Sequence, residues 1–151
     1  MTEWEALGRV ALALLAGAIL GFEREMHDKP AGLRTYALVS QGAALFMVLD
    51  LMLAQQHFSD SVSFDPSRMT TGVIQGIGFL AGGVIFTLGA RVKGLTTAAA
   101  VWVAAAVGLL IGGGFYILGF GAVVMTLITL RSLTVVGPRV PHDRNVERVE
   151  D

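Results

Sequence analysis

The sequence predicts an all-α polytopic membrane protein, a bundle of five transmembrane helices packed through glycine-rich faces. Three observations carry this expectation. Of the 151 residues, 54% are hydrophobic and 15% charged, against roughly a quarter charged in a soluble domain. The charges are clustered, with none between Arg68 and Arg91 or between Lys93 and Arg131, and both gaps exceed the roughly 18 residues that mark a transmembrane candidate. Finally, the charged stretch Gly21–Thr35, which holds Glu23, Arg24, Glu25, His27, Asp28, Lys29 and Arg34, sits between two apolar runs, Leu7–Phe22 and Tyr36–Leu53. One membrane domain over residues 1–137, with a short charged tail at 138–151, accounts for the whole length.

Helix one is expected over about residues 4–22. Trp4 would lie in the interfacial aromatic belt, and Arg9 would snorkel outward from the second turn. Gly17 and Gly21 have the G-x-x-x-G spacing that lets another backbone approach closely. Glu3 and Glu5 outnumber Arg9 in the leading segment, whereas export signals begin positively charged, so this helix reads as retained rather than cleaved.

Helix two is expected over about 34–54, opened by Pro30 and the charged hinge. Asp50 lies near its end, either as an acid reaching interfacial water or, the sharper alternative, as a functional intramembrane acid, while Ser40 and Gln41 lie deeper and suit interhelical hydrogen bonds. Asp65 as N-cap and Pro66 at the first helical position open helix three, expected over 66–88. Gly72, Gly76, Gly78, Gly82 and Gly83 would each cost roughly 1 kcal/mol relative to alanine in a helix in water. In lipid the same stripe makes a close-packing face, which places helix three at the centre of the bundle. Gly76-x-Gly78-x-x-Ala81 matches the dinucleotide-binding expression, but it lacks the preceding strand and soluble βαβ unit that the motif requires.

Arg91 and Lys93 mark a short turn, with Thr96 and Thr97 as caps of an alanine-rich helix four over 96–111. Gly112–Gly114 forms a tight uncharged turn into helix five, over 115–136, which Pro138 and Pro141 keep from continuing. Five spans put the two ends of this domain on opposite sides. Arg24, Lys29, Arg34, Arg91, Lys93, Arg139, Arg144 and Arg148 fall on one side, and Arg9 and Arg68 on the other. The positive-inside rule then sets the N-terminus outside and the C-terminus in the cytoplasm.

No enzyme template fits. The chain has no cysteine, hence no thiolate nucleophile, disulfide framework or zinc ribbon. His27, His57 and His142 fall in separate polar segments and read as solvated surface, and no cofactor or metal site is expected. The clustered charge gives no basic face for nucleic acid. Two groups of polar residues at the membrane boundaries remain: Glu23, Arg24, Arg34 and Thr35 on the cytoplasmic side, and Asp65 and Arg68 outside. Such groups serve as topogenic charge and helix caps, or as a polar cluster that binds an ion or another protein's helix. An acid among several bases is unlike a magnesium site, which wants several carboxylate oxygens and waters. A small oligomeric cation transporter or channel is the alternative class; it would need a continuous polar path reaching Gln41 and Gln75.

Glu23-Arg24, Ala31-Gly32-Leu33-Arg34-Thr35, Gly76-Ile77-Gly78-Phe79-Leu80 and Gly94-Leu95-Thr96-Thr97-Ala98-Ala99 followed by Trp102 together resemble the MgtC/SapB family of bacterial inner-membrane proteins. Asp65 and Arg68 before the glycine helix fit the same pattern, and the resemblance runs from about Gly17 to Gly114. It implies a five-helix inner-membrane domain that is not an enzyme and that acts in magnesium or cation homeostasis under stress. It also implies a protein partner such as the F-type ATP synthase, and a link to survival inside macrophages. Thr96 and Thr97 then join the cytoplasmic group. In two respects the chain departs from the family: it stops shortly after helix five, where longer members carry a soluble C-terminal domain, and Ala81-Gly82 inverts the usual Gly-Ala order. The glycine faces of helices one and three offer a homodimer surface within the lipid bilayer.

Overall fold

The computed structural model describes residues 1–56, 67–88 and 91–136. They form five helices and one small hairpin: α1 Glu3–Glu25, α2 Leu33–Gln56, α3 Ser67–Gly82, β1 Phe86–Leu88, β2 Arg91–Lys93, α4 Leu95–Gly112 and α5 Tyr116–Val136. The all-α membrane bundle is therefore observed. By length and apolarity α1, α2 and α4 each suffice to cross a membrane. Trp4, Phe79 and Ile117 are among the many large apolar side chains that point outward, as expected where the surrounding solvent is lipid.

The core is a three-helix unit of α1, α2 and α4, with α5 and α3 laid against it. It is built from small residues: Ala13, Ala16, Ala44, Ala104 and Val107 are fully or almost fully buried. Without a hydrophobic drive between helices in lipid, close backbone approach supplies the packing energy. A Cβ on Gly17 would overlap the Tyr36 carbonyl and lie 2.7 Å from Ser40 Cβ, and one on Gly21 would lie 2.6 Å from Leu33 Cα. Across the next interface, a Cβ on Gly108 would overlap the Ser40 carbonyl, and one on Gly112 would lie 2.9 Å from Ala44 Cα. The Ser40 hydroxyl donates to the Ala13 carbonyl at 2.7 Å, the interhelical bond expected of it.

Several expectations need correction. Helix three is not central: α3 packs on α4 and more lightly on α2, and a Cβ on Gly72, Gly76, Gly78 or Gly82 would meet nothing within 4 Å. The G-x-x-x-G spacing marks a thin face but not what covers it, and on α3 that face is open. The face on α1, by contrast, is taken up by α2 of the same chain. Helix three also ends at Gly82 rather than Leu88, and the turn expected around Arg91 is an antiparallel ribbon pairing Phe86 with Lys93, Thr87 with Val92 and Leu88 with Arg91.

Gly94, not a threonine, caps α4. Its φ of 90° is left-handed, and no side chain completes the cap, so Thr96 and Thr97 lie inside the helix. Arg9 reaches toward the N-terminal end of α1, as expected, but it is held there. Its Nη1 donates to the Gly112 carbonyl at 3.1 Å and its Nη2 bonds Glu5 at 2.6 Å, putting a cation on the carbonyl end of α4, where the helix dipole favours it. Asp50, expected to reach interfacial water, is buried. Because α2 continues to Gln56, Asp50 lies more than a turn inside the helix rather than at its rim.

Candidate functional site

The polar site is built on the last turn of α1. That helix runs three residues beyond the expected Phe22, so Glu23 and Arg24 are helical residues turned into the bundle, each only 3% exposed. The extension is held by a tight closing turn. Lys29 and His27 N–H groups donate to the Arg24 carbonyl at 3.1 and 3.2 Å, and Asp28 takes the left-handed conformation, φ 50°, which a short polar side chain tolerates better than most. The Glu25 carboxylate then accepts the Leu33 N–H at 2.8 Å, satisfying an orphan donor at the start of α2 and opposing its dipole. The charged hinge is an ordered connection that sets α2 against α1.

Within the site the Arg24 Nε–H donates to Glu23 Oε2 in a short buried ion pair. His27 closes the outer side, its Nδ1 2.8 Å from the Glu23 carbonyl oxygen and 3.3 Å from Glu23 Oε1. Tyr36 is fully buried, and its hydroxyl donates to the Thr97 carbonyl at 3.3 Å. That bond fastens the start of α2 to the first turn of α4. Burying a charge pair costs several kcal/mol per ion before their attraction offsets it, so this is an expensive place to put one unless the pair itself is used.

Of the residues singled out by sequence, Glu23 and Arg24 pair directly, and Thr97 is buried with its carbonyl accepting from Tyr36. Arg34, Thr35 and Thr96 are near in sequence but exposed. Arg68 is exposed at the start of α3 and lines a separate groove, while Asp65, with Pro66, His57, His142 and the tail at 138–151, lies outside the described residues. The sequence did not mark Tyr36 or His27 as part of this site. The signal for His27 was its position four residues after Glu23, a spacing that stacks side chains on one helix face; Tyr36 carried no such signal.

Among the described residues, no group of three or more His, Asp or Glu side chains could hold a metal ion. The groove that Arg68 borders has a volume of about 620 Å³ and lies between α2 and α3. Apart from Arg68 its walls are apolar, formed by residues such as Phe46, Ile77 and Leu80 together with the bare faces of Gly42, Gly72 and Gly76. Neither Gln41 nor Gln75 lines it.

The chain is similar in sequence to known proteins over most of its length. Over 127 residues, 83% of this chain, it is 44% identical to the "Putative magnesium transporter YhiD" of Escherichia coli (strain K12), covering 59% of that protein. Protein SrpB of Synechococcus elongatus is 39% identical over 137 residues, 85% of this chain and 75% of its own length. Protein MgtC of Brucella abortus is 44% identical over 117 residues, 74% of this chain and 45% of its own. The chain thus spans about three fifths of the first of these relatives and less than half of the last. No solved structure gives a significant match. The MgtC family model matches residues 10–138, which takes in the buried Glu23–Arg24 pair and all of α2 through α5, and the chain belongs to the MgtC family.

Proposed function

We propose that the chain is a non-enzymatic protein of the bacterial inner membrane that supports magnesium or cation homeostasis under stress by modulating a membrane partner. The observation that carries this reading is the closure of the α1–α2–α4 unit. Its helices meet backbone to backbone at Gly17 and Gly108. Of its deep hydroxyls, Ser40 is committed to Ala13 and Tyr36 to Thr97. An ion path would need polar groups strung across the midplane, and the α2–α3 groove, apolar and open, suits a membrane-embedded occupant better than a hydrated cation. The name of the Escherichia coli relative, which refers to magnesium transport, supports the link to cations. The distribution of basic residues supports an N-terminus outside and a C-terminus in the cytoplasm. A homodimer through the open glycine face of α3 belongs to the same reading.

In this account the Glu23–Arg24 pair is the functional element. A bacterium lacking its own protein of this family, grown in magnesium-poor medium, is expected to recover growth with the wild-type chain. The Glu23→Leu, Arg24→Leu double variant should accumulate in the membrane and fail to restore growth. Equal rescue by both would remove the pair from the function, and no rescue by wild type would overturn the reading.

A further inference from the structure

The β1–β2 ribbon is unlike the rest of the chain. Its strands are three residues each, and a two-stranded ribbon of that size is marginal in water on its own. Its surroundings nonetheless fix it. Gly94 joins it to α4 in a left-handed conformation, where a Cβ would overlap the Val84 carbonyl. The turn entering it is held by Val84 N–H to Ala81 carbonyl and Ile85 N–H to Gly82 carbonyl bonds, each 3.1 Å. Because Tyr36 grips the Thr97 carbonyl, the ribbon lies at the same end of the bundle as the Glu23–Arg24 pair.

Two constraints set its depth. The ribbon directly precedes α4, which is long and apolar enough to cross a membrane, so it lies beside the hydrocarbon boundary. The ribbon's outer backbone edges, however, cannot lie in hydrocarbon without unpaired N–H and C=O groups. Only the headgroup layer satisfies both.

The side chains match that layer. Ile85, Phe86, Val92 and Leu95 are all exposed, from 38% to 57%, beside exposed Lys93 and a second basic residue at position 91. The register sets an apolar residue opposite a basic one in two of its three pairs, Phe86 with Lys93 and Leu88 with Arg91. The sequence has no acidic residue between Asp65 and Asp143. Lys93 takes no part in the Arg9–Glu5, Arg24–Glu23 and His27–Glu23 ion pairs.

We propose that this ribbon is an interfacial anchor for anionic phospholipid: Phe86 and Val92 reach the acyl boundary while Lys93 meets the lipid phosphates. The occupant is the anionic leaflet itself, and it sits directly against the segment that leads into Thr97 and the buried pair. The inference rests on the membrane fold and not on the regulatory reading above.

The absence of cysteine makes single nitroxide labels at Phe86→Cys and Val92→Cys straightforward in nanodiscs, with Val124→Cys, exposed in mid-α5, as the hydrocarbon reference. Both ribbon labels are expected to collide more with oxygen than with a water-soluble nickel chelate, at shallower depth than position 124. Preference for the nickel chelate at both would overturn the proposal. In native mass spectrometry, the chain should retain phosphatidylglycerol over phosphatidylcholine, with Lys93→Gln weakening retention about fivefold. Equal retention of the two lipids, or of phosphatidylglycerol by wild type and variant, would equally overturn it.

Discussion

Gly108→Ala is expected to destabilise the fold by about 3 kcal/mol, the upper end of what overpacking a tight interface costs. The added methyl would fall on the Ser40 carbonyl, with the Ser40 carbonyl carbon 2.8 Å away. Neither is a side chain that can rotate aside, so α2 and α4 must separate, and the Gly112 contact with Ala44 would loosen with them. Gly17→Ala should behave alike, because it meets the Tyr36 carbonyl in the α1–α2 interface. Gly76→Ala is the internal comparison. Nothing lies within 4 Å of its Cβ, so alanine's better helix propensity should leave stability unchanged or raise it by up to about 1 kcal/mol. Reversible unfolding in lipid-like micelles would measure all three. Equal costs at positions 108 and 76 would mean that the helices are not arranged as described.

The second large effect is expected at Glu23. Glu23→Ala leaves the Arg24 guanidinium buried without its carboxylate, and breaking a buried pair in this way typically costs about 3–5 kcal/mol. Removing both charges should cost much less, since a well-packed apolar pair of similar volume is often neutral or better. The Glu23→Leu, Arg24→Leu protein should therefore unfold close to wild type while the single variant unfolds far earlier. If the double variant were as unstable as the single one, the pair would be holding the fold together rather than being carried by it. This contrast also gives the growth experiment its force, because the double variant tests the role of the pair in a folded protein.

Much of this architecture was legible. Charge-free runs located the helices, and the Gly17–Gly21 spacing correctly marked a close approach. What the sequence did not carry was which surfaces meet. The glycines of α3 follow the same spacing rule as those of α1, yet α1 uses its face within the chain and α3 leaves its own open. The ribbon was missed because Gly83–Leu88 is uncharged and apolar, and a short apolar run reads equally well as helix or strand. At the site, Glu23 and Arg24 stood out as charges, but their burial depended on α1 continuing through them. The second partner of Arg9 was hidden for a related reason: the carbonyl of Gly112 is 103 residues away and is a backbone group that no pattern announces.

Whether the bundle conducts ions is read most directly from magnesium and proton flux in proteoliposomes holding the wild-type chain, with the fold verified after reconstitution. On the proposed reading, no flux above that of empty liposomes is expected. Flux carried by the wild type and abolished in the Glu23→Leu, Arg24→Leu variant would contradict it and make the chain a small oligomeric transporter gated at the end of α1.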